Sequence, residues 1–429
     1  MTVAQLYVIF AVGLPLSLTA ANRLRADYAA LMIAFILGIG QALLGLPIFD
    51  AAGMPASAAH AISGFGQPVI ITLVSLFILT GSLEKHGIAH WIAQRIAMIG
   101  SGSTRRLIAL YTIAAAALSL VMNTVAAGAL LLPSALQTAR QANIAPSRLL
   151  MPLSFGTLLG GCATYFTTAN IITSGLLTTA SPPQTPLSVL DFALTGGLIA
   201  LAGIAYIVIL APRLLPERTS LWRPAMSVQP VSLAPKTVLL SLLILTTSIG
   251  AAILGVPTYL AMLGGALATL LVGLVTPDEV YELVEWRTIF LVAGMYSIGM
   301  ALTHTGIAAA LGQIVVRAVQ PFGALGLASG VFWLTVALTH VIGGQVTPLV
   351  AVPIAISAAL QFGVNVHAIA ITAAIACSTA YLSPVAHPVN MIVVQPADYR
   401  FSDFFRLGSG LTVLCFMTLL VGLKLFWNL

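Results

Sequence analysis

The 429-residue chain is 59% hydrophobic and 7% charged, with a mean hydropathy of +1.05, whereas a soluble domain carries about 25% charged residues. That excludes a soluble globular protein and implies a polytopic membrane protein; the long runs are continuously apolar rather than alternating, so helices and not a barrel are expected. The net charge of +6 is strung between apolar runs without aromatic clustering, which fits positive-inside topology and not nucleic-acid binding.

Spans are expected at about 4–20 and 28–47. The first has no Lys or Arg ahead of its apolar stretch, so a cleaved signal peptide is not expected. A Pro/Gly/Ala loop with Asp50 and His60 precedes a third span at about 68–83. Residues 83–106 place apolar positions at helical spacing among Lys85, Arg95, Arg105 and Arg106, the pattern of an amphipathic interfacial helix. From Leu107 to Ala139 the chain is apolar except at Asn123-Thr124, and basic residues flank both ends. A re-entrant hairpin with its tip near Asn123 satisfies both facts; an ordinary span is the competing reading. A span at about 149–180 is broken between Gly160 and Asn170, and a further span covers 192–210.

The linker 212–236, basic and proline-rich, separates a first repeat (1–211) from a second (237–429). The second runs in the same order: spans near 237–255, 258–275 and 288–303, an interfacial stretch at 305–320, a hairpin at 322–361, a broken span at 366–395 and a last span at 408–427. Gly87 and Gly306 are 219 positions apart; Pro133 and Pro353, like Asn170 and Asn390, are 220 apart. Five crossings per half make the halves an inverted repeat. With both termini outside, only Arg317 and Lys424 of the 17 basic residues lie on the outer face.

All eleven carboxylates fall in loops or at span ends, so there is no buried acidic relay and no catalytic carboxylate pair, and no enzyme is expected. Cys162, Cys377 and Cys415 show no disulfide or metal-ligand spacing and read as packing residues. The interior offers Asn123, Thr124, Thr164, Thr167, Thr168, Asn170, Gln345, Thr347, Ser383, His387 and Asn390, with backbone freed at Gly160-Gly161, Gly343-Gly344 and Pro384. Carbonyls and amides of this kind suit an alkali cation, or a small anion held at helix N-termini. Each has a plainer reading beside it. Asn123 could bridge neighbouring helices, His387 could be a satisfied buried imidazole, and the Gly-Gly pairs could mark close helix packing. The imidazole could also replace a cation or carry a coupling proton.

Met122-Asn123-Thr124 ahead of Pro133, residues 144–161 (IAPSRLLMPLSFGTLLGG), residues 167–177 (TTANIITSGLL) and residues 398–408 (DYRFSDFFRLG) resemble the divalent anion:sodium symporter family, the SLC13-type permeases of the ion transporter superfamily. The likeness covers nearly the whole chain, and the soluble insert that many bacterial relatives carry between the halves is absent. It implies an all-α protein of about ten transmembrane helices plus two re-entrant hairpins. It also implies scaffold and transport domains working as an elevator, a homodimer, and the bacterial inner membrane. The implied activity is transport of a small anion of the dicarboxylate or sulfate class, with no cofactor beyond sodium as the coupling ion. A sodium-independent, proton-coupled transporter or exchanger, and an anion channel, are the alternatives. Each hairpin tip, in the family Ser-Asn-Thr, holds with its broken span one sodium ion and one end of the substrate. Carried over, the substrate residues are Asn123, Thr124, Thr168, Asn170, Gly343, Gly344, Gln345, His387 and Asn390, and the cation residues Asn123, Gly160, Gly161, Thr164, Thr167 and Ser383. The first tip keeps Asn and Thr; the second, Ile342-Gly343-Gly344, keeps none of the three, and His387 stands opposite Thr167.

Overall fold

The computed structural model describes the chain except residues 22, 50–56, 89–90, 93–94, 97–102 and 219–234. The described residues fold as helices without a strand. Much of the expected interfacial helix at 83–106, with Asp50, His90 and most of the linker, lies outside the described residues.

The first half comprises α1 (Val3–Ala20), α2 (Ala26–Ala42), a 3-10 turn (Ala58–Gly66) leading into α3 (Pro68–Lys85), then α4 (Thr104–Ser119), α5 (Thr124–Gln141), α6 (Leu150–Cys162), α7 (Thr168–Thr178) and α8 (Val189–Leu214). The second comprises α9 (Pro235–Ile253), α10 (Thr258–Leu271), a short α11 (Pro277–Leu283), α12 (Trp286–His304), α13 (Ile307–Val319), α14 (Gly323–Ile342), α15 (Thr347–Phe362), α16 (Val366–Ser378), α17 (Pro388–Ala397) and α18 (Phe401–Phe426). Among the described residues, five helical stretches are long and apolar enough to cross a membrane, and five shorter apolar helices accompany them. In lipid this is the expected outcome, since only internally bonded backbone survives there.

The helices form two bundles. In one, α2 packs on α12 and α10 packs on α3 and α9. Ser82 and Ser241, both buried, share a 2.8 Å hydrogen bond within it. At its edge, Lys85 pairs with Glu279 of α11 at 2.7 Å and reaches the Leu274 carbonyl. In the other, α6 packs against α4 and α8, α8 against α18, and α14 to α17 complete the group. The bundles meet where α3 touches α7 and where α12 touches α7 and α15. Gly156 and Gly160, one helical turn apart, lay the backbone of α6 on α4. A Cβ at Gly160 would stand 2.2 Å from the Ala116 carbonyl oxygen. Small residues at this spacing allow the close approach that drives helix association in lipid.

The expected hairpins are α4–α5 and α14–α15, and the broken spans are α6–α7 and α16–α17. Two boundaries differ from expectation. Helix α6 runs unbroken through Gly160-Gly161 to Cys162, because the pair is packed rather than unwound, and the first break is only residues 163–167. The last span starts at Phe401, because the Asp403 carboxylate accepts the Arg400 N–H at 2.7 Å and caps the helix there. Asp191 does the same for the Ser188 N–H at the start of α8, also at 2.7 Å.

On one face the chain leaving α8 is clamped. Arg218 donates to the Asp403 carboxylate at 2.8 Å and to the Asp398 carbonyl at 2.7 Å. Its own N–H reaches the Ser147 hydroxyl at 2.9 Å, while Arg148 pairs with Glu217. Tyr399 donates to the Ser147 carbonyl and accepts the Met151 N–H.

Candidate functional site

The site is assembled from two tips and two breaks. Asn123 precedes α5, and its Oδ1 accepts the Val125 N–H at 2.8 Å, closing the first turn where the tip would otherwise leave amides bare. The Ser119 hydroxyl donates to Thr124 Oγ1 at 3.3 Å. Thr164, inside the first break, donates to the Leu120 carbonyl at 2.6 Å and so ties the break to the tip.

Asn170 spans the break from behind. Its Nδ2 donates to the carbonyls of Gly161 (3.0 Å) and Thr164 (2.6 Å). Asn390 repeats this in the second half, donating to Ala380 (2.7 Å) and Ser383 (3.2 Å). Both are fully buried. The freed carbonyls that an interrupted helix must satisfy are answered by these two amides.

The second tip is built differently. Gly343 adopts φ +86°, a conformation that suits glycine, and the following helix begins at Thr347. That start lies 223 positions after Thr124, and α14 likewise ends 223 positions after α4, so the tip has the same length in both halves but sits three residues later than the 220 spacing gives. Thr347 donates to the Gly343 carbonyl at 2.8 Å. The Gly344 N–H reaches the Ala386 carbonyl at 3.0 Å. His340 on α14 accepts the Leu382 N–H at Nε2 (3.2 Å), with Nδ1 bonded to the Val336 carbonyl (2.7 Å). An imidazole thus joins the second tip to its break, as the Thr164 hydroxyl does in the first half.

Between these parts lies a cavity to which each half contributes five residues. Asn123, Thr124, Thr167, Thr168 and Ala169 come from the first; Gly344, Gln345, Cys377, Ser378 and His387 from the second. No Asp, Glu, Lys or Arg is among them. Helices α5, α7, α15 and α17 each start within two residues of a lining residue. Four helix N-termini, each carrying a partial positive charge of about half an electron, therefore point toward one uncharged cavity. Helices α4, α6, α14 and α16 end their carbonyl rows at the same tips and breaks. The arrangement can hold an anion against amides and a cation against carbonyls.

Of the residues expected from sequence, Asn123, Thr124, Thr167, Thr168, Gly344, Gln345 and His387 are brought together in the wall. Asn170, Asn390, Gly160, Thr164, Gly343 and Ser383 lie outside it. Gly160 packs against α4, Thr164 joins tip to break, and Ser383 caps a single turn through the Val385 N–H at 3.2 Å. Gly161 lies close behind, where a Cβ would meet Thr124 Oγ1 at 3.0 Å. Sequence reasoning missed Ala169, Cys377 and Ser378 as lining residues. The signal for the last two is position, since they end the half-helix just before the break. Among the described residues no cluster of three His, Cys, Asp or Glu side chains could hold a metal ion.

The profile of the CitMHS family, described as citrate transporter, matches residues 5–376. An uncharacterized transporter of Synechocystis, sll0640, is 30% identical over 37% of this chain. A probable sodium/sulfate cotransporter 3 of Chlamydomonas reinhardtii is 24% identical over 33%. The chain spans 26% and 16% of the lengths of those two relatives. The YdaH transporter of Alcanivorax borkumensis, whose crystal structure shows an unusual topology, superposes with a TM-score of 0.63 at 15% identity, covering 96% of this chain and 98% of that one, and so shares the fold. The chain belongs to the citrate transporter (CitMHS) family, and among its described residues are helices long and apolar enough to cross a membrane.

Proposed function

We propose that the protein is a secondary active transporter that moves a small carboxylate or sulfate-like anion across the bacterial inner membrane, coupled to a cation. The observation that carries this reading is the convergence of four helix N-termini on a cavity with no charged side chain. Fixed partial charges without a buried Lys or Arg favour an anion strongly enough to admit it and weakly enough to release it. The family's description as citrate transporter and the sulfate named for one relative support the substrate class. Sodium is the coupling ion by the same support, with carbonyls at the ends of α4 and α6 as its surroundings. The α1–α3, α9, α10 and α12 bundle would be the scaffold of an elevator and the bundle that holds the cavity its carriage. The halves are inverted, the termini face outward, and the working unit is a dimer.

The test is uptake of radiolabelled citrate, succinate and sulfate into proteoliposomes, with an inward gradient of sodium or of choline. Saturable, sodium-stimulated uptake that accelerates with unlabelled anion inside is expected. Wild-type uptake after Asn123→Ala would remove the cavity from the transport path, and large single-channel currents would replace the carrier by a channel.

A further inference from the structure

Thr167 and His387 occupy the same place in the two halves, each the residue before the half-helix that follows its break, and both line the cavity. They use their side chains differently. Thr167 makes no bond to the start of α7; its hydroxyl turns to the Gly161 carbonyl at 3.5 Å. His387 caps α17, its Nδ1 accepting the Val389 N–H at 3.3 Å.

That bond fixes the tautomer. A ring nitrogen that accepts an N–H keeps its lone pair, so the ring proton is on Nε2. Nε2 has no hydrogen-bond partner among the described residues. The ring is thus presented to the cavity as a donor at Nε2.

The tip leaves room for it. A Cβ at Gly344 would stand 3.3 Å from His387 Cδ2 and 2.7 Å from the Cys377 carbonyl oxygen. A side chain there would press on the ring or on backbone, and the Gly344 N–H is itself held by Ala386.

We propose that His387, through Nε2–H, is the second half's hydrogen-bond donor to the transported anion, taking the place of the hydroxyls that the first half presents. This rests on the cavity being the anion site. An imidazole N–H points along one fixed direction, whereas a hydroxyl rotates, so His387 selects anions that place an acceptor oxygen on that line.

The test compares His387→Asn, whose Oδ1 can replace Nδ1 as the cap but which offers no donor at the Nε2 position, with His387→Gln, whose amide reaches that position. The readout is uptake kinetics in proteoliposomes for whichever of citrate, succinate and sulfate the wild type transports fastest, with melting temperature measured alongside. His387→Asn is expected to raise KM by roughly tenfold or more, the worth of a hydrogen bond to a charged group, with a smaller change in kcat. Its melting temperature stays at the wild-type value, and His387→Gln recovers much of the KM. An unchanged KM in His387→Asn overturns the assignment, and a lowered melting temperature with unchanged KM reduces His387 to a helix cap. If Asn123→Ala still impairs uptake in that case, the anion site itself stands. Wild-type kinetics in all three variants, or no saturable uptake by the wild type, overturns the site and the assignment together.

Discussion

The Ser154 hydroxyl donates to Oδ1 of Asn390 at 2.7 Å, so a side chain on the first broken helix completes an amide on the second. The reverse link is missing. The residue 220 positions after Ser154 is Ala374, which has no hydroxyl to give, and Oδ1 of Asn170 is buried with no partner among the described residues.

From this asymmetry, Asn390→Ala should destabilise the detergent-solubilised protein more than Asn170→Ala. Each loses two bonds to buried carbonyls, about 1–3 kcal/mol, and the former also orphans the Ser154 hydroxyl. Ser154→Ala alone should cost about 1 kcal/mol. Melting temperatures rank the three. Equal values for both asparagine variants would show that the Ser154 bond contributes nothing.

Gly160→Ala would drive a methyl group into the Ala116 carbonyl and force α6 from α4. A loss of about 1–3 kcal/mol is expected, the usual cost of overpacking. Gly197→Ala on α8 is the control, because nothing lies within 4 Å of its Cβ position. It should be neutral or slightly stabilising. Thermal unfolding of the pair separates packing from helix propensity.

Arg218→Ala would leave the Asp403 carboxylate, 8% exposed, without its counter-charge. Removing one partner of a largely buried pair costs about 2–4 kcal/mol after allowance for the partly exposed arginine. Arg218→Lys should restore only part of this, since an ammonium cannot set two nitrogens on the carboxylate as the guanidinium does through Nη1 and Nη2. Melting temperatures of both variants, and their yield after extraction, check it.

Glu279 gives a pH signature. The Lys85 ammonium first, and then the Thr276 N–H, hold its carboxyl at about 2, below the ordinary carboxylate range. The folded protein therefore binds fewer protons there than the unfolded chain, so the contribution is present at neutral pH and lost as pH falls through about 2. The melting-temperature gap between wild type and Glu279→Gln should be small and constant above the ordinary glutamate value, and close as pH drops toward 2. High salt should shrink it, because the pair is exposed.

Hairpins and breaks were legible because polar residues and prolines inside apolar runs are costly in lipid, and persist where the chain turns back or lines a cavity. Asn123 and Pro384 show this directly. Register at the second tip was not legible, because the constant spacing from Pro133 to Pro353 and from Asn170 to Asn390 hides the three-residue displacement of the tip that Gly343 opens. Nor was the division of labour among the asparagines. Asn123 faces the cavity while Asn170 and Asn390 brace backbone behind it, and residue type alone is the same for both tasks. Gly160-Gly161 reads as a helix breaker in sequence, yet remains helical because Gly160 is pressed on a neighbour.

The clamp around Arg218 also sets where the chain tolerates engineering. Residues 216–218 are held by Ser147, Arg148, Asp398 and Asp403, so the join between the halves is anchored at its beginning. A reporter domain spliced in ahead of Arg218 would have to pull those bonds apart. One placed between Arg218 and Lys236 leaves the clamp whole, and offers a handle on the protein that does not pass through the cavity between the tips and breaks.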